Sequence, residues 1–235
     1  MVDRESGVVA TAKHPRRWRG LLKYSAAVRD GRILITAPAG WVLDAGAPGV
    51  DELLSEHLNR PVHLRSERPR GAVVERPDPQ DVLEQGVEAV VDAPTLEIGQ
   101  GTPGTTFVDY APLHLITRAT LAHVGAEQVR YRPNLVLETP PGTPAYVENE
   151  WIGRELHIGT PGGAVVVLRI SIPTPRCAVP TLEHGDLPAA PHAVRTLMTS
   201  NRIEVAGFGL LPCAGCYAEV VHGGTVRVGD DVTVH

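Results

Sequence analysis

The sequence predicts a mainly β protein with a few short helices, its strands closing into a barrel. Three observations carry this. Short apolar runs with period-two alternation recur at close spacing along the 235 residues, the pattern of half-buried strands. Gly 24 and Pro 21 together make up nearly a fifth of the chain, which suits many short elements joined by turns. Helical period shows in three segments, 50–58, 117–124 and 191–198. So little helix cannot cover many strands, and closing the sheet removes its exposed edges.

The first part reads as a sheet. V-V-A-T-A-K at 8–13, L-L-K-Y-S-A-A-V-R at 21–29 and R-I-L-I-T-A from Arg32 are expected strands. Asp30-Gly31 between the last two is a hairpin signal. R-R-W-R at 16–19 is expected to be a solvated loop. V-D-E-L-L-S-E-H-L at 50–58 has Leu53, Leu54 and Leu58 on one side; Arg60-Pro61 stops that helix, and V-H-L-R at 62–65 returns as a strand. Residues 66–81 carry three prolines and dense charge, as a linker or a long crossing segment does. The expected division is a small β-rich domain at 1–75 and a barrel domain at 76–235.

The second part opens weakly with V-E-A-V-V and T-L-E-I. L-H-L-I at 113–116 is an expected strand, and T-R-A-T-L-A-H-V at 117–124 a helix capped by Thr117. Strands follow at 134–138, 155–159 and 164–171, then a helix at 191–198 with Pro191 suited to a first turn. Y-A-E-V-V, G-G-T-V-R-V-G-D and D-V-T-V make an all-β tail.

Composition excludes several classes. A net charge of -5 with 21% charged residues describes an ordinary surface, and no basic stripe recurs, which argues against nucleic acid. Three cysteines are too few for a disulfide framework. The start, M-V-D-R-E-S, lacks the apolar stretch of a secretory signal, and A-V-V-V-L at 164–168 is too short to span a bilayer. The expected place is the cytoplasm, with thiols reduced and no membrane contact.

Chemistry concentrates on S-I-P-T-P-R-C-A-V-P-T at 171–181. Prolines on both sides hold Cys177 on a stiff, non-helical loop. A free cysteine is ordinarily a small buried hydrophobe; a rigid loop beside Arg176 could instead present a thiolate to a metal or substrate. The polar candidates around it are Arg176, Arg132, Asn134, Thr117 and His114. In extended backbone Arg132 and Asn134 share one side, and a guanidinium beside an amide suits an oxyanion or phosphate. Thr117 at a helix start adds backbone N–H groups. The same residues also read as a surface Arg, a turn Asn and a cap Thr. Cys213 and Cys216 in L-P-C-A-G-C-Y could be a redox pair or half a zinc site, but no second C-x-x-C or H-x₃₋₅-H accompanies them. G-Q-G-T-P-G at 99–104 lacks the Lys-Ser/Thr ending and the helix of a phosphate loop.

Five motifs in register resemble the MOSC domain, found in molybdenum cofactor sulfurases and in the amidoxime-reducing component and its bacterial relatives. They are F-V-D-Y-A-P-L-H-L-I-T-R-A-T-L, Y-R-P-N-L-V-L-E, W-I-G-R-E-L-H-I-G, T-P-R-C-A-V-P-T and G-G-T-V-R-V-G-D-D-V, over about residues 105–235. T-A-K-H-P-R-R-W-R-G-L-L through D-E-L-L-S-E-H-L-N-R-P-V-H-L-R is similar, more weakly, to the small β-barrel domain preceding MOSC. The resemblance implies a MOSC-type β-barrel preceded by a small β-rich N-terminal domain. It implies molybdopterin as cofactor, with Cys177 ligating molybdenum and Thr117, Arg132 and Asn134 holding its phosphate and pterin. Arg176, His114 and Lys13 are further cofactor-binding candidates. The implied chemistry is two-electron reduction of N-hydroxylated substrates through the Mo(VI)/Mo(IV) couple. No iron–sulfur domain follows in this sequence, so a separate electron-donor protein is expected. The alternative is a non-catalytic carrier of the cofactor, or of sulfur on Cys177. The C-A-G-C stretch stands outside the family pattern.

Overall fold

In the computed structural model, which describes residues 1–159, 163 and 165–235, the chain begins with β1 (Val2–Asp3), α1 (Pro15–Trp18), β2 (Ser25–Arg29), β3 (Arg32–Thr36) and β4 (Val42–Asp44). Then come α2 (Val50–Leu58), β5 (Val62–His63), β6 (Val73–Glu75), α3 (Pro79–Gln85) and β7 (Thr95–Glu97). The remainder is β8 (Leu113–Thr117), α4 (Arg118–Val124), β9 (Leu135–Leu137), β10 (Glu155–Ile158), β11 (Val166–Pro175), α5 (His192–Ser200), β12 (Arg202–Val205), β13 (Gly209–His222) and β14 (Val232–Val234). The fold is mainly β with a few short helices. The described residues fall into two compact units. One holds Met1–Ile98, Gly104–Phe107 and Cys177–Ala190; the other holds Gly99–Pro103, Val108–Arg176 and Pro191–His235.

In the first unit, Asp30 and Gly31 take φ of 50° and 73° and turn β2 onto β3, with Arg29 facing Arg32, as Asp-Gly favours. β4 completes a three-stranded meander. α2 follows its expected bounds, but Val50 and Leu54 are its buried residues, while Leu53 lies exposed. Three expectations fail locally. The strand expected at 21–29 begins only at Ser25, since Arg19–Lys23 is a 3₁₀ turn. R-R-W-R is no solvated loop: Pro15 starts α1, and Trp18 is buried with Ala10, Val50, Leu54 and Val62, because the large apolar indole gains from burial while Arg16 stays exposed. V-V-A-T-A-K forms no strand; Val9 makes a single bridge to Val2, and a turn closes from His14 N–H to the Thr11 carbonyl.

The charged segment at 66–81 is folded rather than loose. β6 within it pairs with β7, and Asp78 caps α3 by accepting from the Gln80 N–H at 2.8 Å. Arg68 is buried, donating to the carbonyls of Ile98, Gly104 and Thr106 at 3.0, 2.9 and 3.1 Å. A charged residue in a polar segment thus serves as an internal staple. V-E-A-V-V is turn and coil, with Val90 exposed.

In the second unit, among the described residues, strands run in the order β14-β10-β11-β13-β8-β9, with β12 also on β13. This sheet is a nearly closed β-barrel. β8 and β9 are parallel; the other pairs are antiparallel. Leu156 and Ile158 of β10 and Val166, Leu168 and Ile170 of β11 point inward with Leu115, Leu137, Cys216 and Ala218, every second residue as a pleated strand demands. β11 runs on through Pro173 and Pro175, past the expected end at 171, with register shifts against β13 at both; bulges are where a strand tolerates a residue without an N–H. Ala164, the first residue of the expected 164–171 strand, lies outside the described residues. G-G-T-V-R-V-G-D is an exposed loop, not a strand; Gly229 at φ 93° and an Asp230 carboxylate accepting from the Arg227 N–H at 2.7 Å turn it before β14.

Candidate functional site around Arg176 and Cys177

β11 ends at Pro175, and the Arg176 N–H donates to the Pro212 carbonyl at 2.8 Å. Cys177 follows at once and opens the 177–190 segment, in which Val179–Thr181 makes a short helical turn. Thr181 Oγ1 donates to the Ala178 carbonyl at 2.7 Å. Cys177 is half-buried, while Cys213 and Cys216 are fully buried. The loop is non-helical at the cysteine, as its prolines require.

Arg176 is buried and held almost entirely by backbone carbonyls. Its Nε donates to Ala214 O at 3.0 Å and its Nη1 to Tyr131 O at 3.3 Å. Nη2 reaches Ala214 O and the Nε2 of His114. A guanidinium only donates, so that imidazole nitrogen accepts. The cation also stands over the Tyr131 ring, 5.1 Å from its centroid, a favourable contact in a desolvated setting. Burial, and then the Arg176 charge, holds His114 well below the usual histidine range. His114 is thus neutral at physiological pH.

Gly215 makes this arrangement possible. It has φ +75°, and a Cβ there would lie 2.5 Å from His114 Nε2 and closer still to the Leu115 carbonyl. Only glycine fits both the conformation and the space.

The R-P-N stretch is placed differently from expectation. Arg132 has φ +50°, so its backbone is not extended and the two side chains do not share one side by strand geometry; its N–H donates to the Gln128 carbonyl at 3.2 Å and closes the turn out of Gln128–Arg130 against the extended preference of a residue before proline. Arg132 is exposed. Asn134 exchanges two hydrogen bonds with His114, its N–H to His114 O and the His114 N–H to its Oδ1, both 2.8 Å. Those bonds extend the β8–β9 ladder by one residue. Tyr131 is anchored through its hydroxyl to Ala193 O at 2.7 Å.

Thr117 caps α4 as expected, accepting from the Thr120 N–H at 3.1 Å. It is fully buried, and its hydroxyl also bonds Glu148 Oε2 at 2.8 Å. Thr120 Oγ1 donates to the same oxygen at 2.9 Å and accepts from the Tyr146 N–H at 2.7 Å. Glu148, on the helical turn Val147–Trp151, has no sequence signal, since nothing in V-E-N-E-W marks one acid as internal. Lys13 lies partly exposed in the Thr11–His14 turn of the first unit. So Arg176, His114, Asn134 and the Tyr131–Arg132 turn come together, while Thr117 joins a separate buried cluster.

The C-x-x-C residues lie inside β13. Burial pushes the Cys216 thiol well up, with the Glu148 and Cys213 charges adding to it, and the protonated thiol donates to the Glu148 carbonyl at 3.0 Å. Cys213 Sγ donates to Leu211 O at 3.4 Å. A thiol so held is a poor nucleophile or metal ligand. Among the described residues no cluster of His, Cys, Asp or Glu has metal-holding geometry.

Residues 103–233 match the MOSC domain. The chain belongs to that family, which ties it to molybdenum-cofactor biology. Comparison with curated proteins gives no match. Among the described residues, no helix is long and apolar enough to cross a membrane.

Proposed function

We propose that this protein binds the molybdenum cofactor and reduces N-hydroxylated compounds with electrons from a separate donor protein in the cytoplasm. The supporting observation is that the MOSC match spans 103–233 and contains T-P-R-C with its cysteine half-buried, not sealed. The donor set suits the group in kind: a thiolate is a soft ligand for molybdenum, and the exposed Arg132 guanidinium suits an anionic phosphate. In this reading Cys177 is the metal ligand, Arg132 and Asn134 hold the cofactor's anionic and amide edges, and Lys13 adds a cation; Thr117, whose hydroxyl bonds Glu148, is not among the holding residues. When bound, the cofactor supplies the two-electron chemistry. The protein's part is to aim one sulfur and to neutralise the phosphate.

Metal analysis joined to pterin fluorescence on protein from a cofactor-competent host tests this. Close to one molybdenum per chain and reduction of benzamidoxime by a supplied donor are expected. Bound pterin without turnover moves the protein to the carrier class, and absence of both metal and pterin overturns the proposal.

A further inference from the structure

C-A-G-C is the motif that the cofactor reading leaves unused, and its two middle residues meet Arg176. Ala214 offers one carbonyl to both Nε and Nη2 of the guanidinium. Gly215, at φ +75°, leaves the space that His114 Nε2 and the Leu115 carbonyl fill. Nη1 donates to the Tyr131 carbonyl, and the guanidinium also stands over the Tyr131 ring. Its donors are thus turned to protein acceptors, and Arg176 is only 8% exposed. Such a group has little left to give a ligand, but it joins three parts of the barrel unit: the end of β11, β13 at Ala214 and the turn carrying Arg132.

We infer that Arg176 and His114 are a positioning pair rather than cofactor ligands, seated in a receptor made by Ala214 and Gly215, and that they hold both the Tyr131–Arg132 turn and the peptide entering Cys177. The role rests on the proposal that Cys177 and Arg132 serve the cofactor. His114 acts as the neutral acceptor that a buried guanidinium requires. The groups facing it are Arg176 at the end of β11, Asp109 on the approach to β8 and the Tyr217 ring on β13, 6.0 Å away. The charge next to Cys177 in sequence is accordingly spent on backbone geometry.

The test is the labelling rate of Cys177 by a small thiol probe at one fixed pH, read by mass spectrometry on full-length protein from a host lacking the cofactor. The buried Cys213 and Cys216 report global unfolding in the same spectra. His114→Phe fills the ring's space without an acceptor and Arg176→Lys keeps charge without the fork. Each should raise the rate about tenfold, the loss of a charged hydrogen bond, and the double variant should go no further than either, since both break one unit. His114→Gln, which restores an acceptor, should stay within about twofold of the unaltered protein. Equal rates in His114→Phe and the unaltered chain, or additive effects in the double variant, overturn the inference. The assay uses no cofactor, so it decides the positioning role even where metal analysis defeats the proposed function.

Discussion

A glycine and a histidine set the geometry at the residue scale. Gly215→Ala must accept both φ +75° and a contact with His114 Nε2 and Leu115 O. Gly125→Ala, at φ +70° with open space around it, carries the conformational term alone, about 1 kcal/mol. Denaturant midpoints should show Gly215→Ala costing about 2–4 kcal/mol, and equal losses at the two sites would remove the close-approach argument. His114 gives a pH signature. The folded protein keeps it neutral, whereas the unfolded chain takes up a proton near pH 6.5. Its contribution is full above that value and is lost as pH falls below it, until the folded form also protonates. Urea midpoints of the unaltered protein should decline more steeply below pH 6.5 than those of His114→Gln; parallel curves would refute this.

Thr117 shows how an element and its surroundings share one side chain. It caps α4 and also bonds the fully buried Glu148. A cap is worth about 1 kcal/mol, and a hydrogen bond to a buried carboxylate about as much or more. Thr117→Ala should therefore cost about 2–3 kcal/mol in chemical denaturation, while Thr117→Ser, keeping the oxygen, recovers most of it. A loss near 1 kcal/mol for Thr117→Ala would mean that the Glu148 contact contributes nothing beyond the cap. β11 makes the complementary point: its prolines are accommodated by register shifts against β13, so a strand continues to the residue before Arg176 although the ladder is interrupted.

At the scale of the molecule, stability and the proposed chemistry reside in different residues. The barrel core rests on side chains such as Leu168, 1% exposed, and Leu168→Ala should cost about 2–5 kcal/mol. Cys177 is half-buried, outside the core clusters. Cys177→Ser should leave the denaturation midpoint within about 0.5 kcal/mol yet abolish bound molybdenum and benzamidoxime reduction. A Cys177→Ser protein that keeps its metal sinks the ligand assignment.

Sequence alone determined what local chemistry controls. Alternation announced β8, β10 and β11, Asp30-Gly31 announced the hairpin, Thr117 announced a helix start, and five motifs in register announced the family. The first three follow from backbone preference or spacing within a few residues; the family rested on resemblance alone. What the sequence left open depends on partners far apart in the chain. That Trp18 and Arg68 are internal and that C-A-G-C receives an arginine emerge only when distant carbonyls and rings are brought together. The physical reason is that a polar group reads as exposed until its buried acceptors are known, and for Arg176 those acceptors, Tyr131, His114 and Ala214, lie between 38 and 62 residues away.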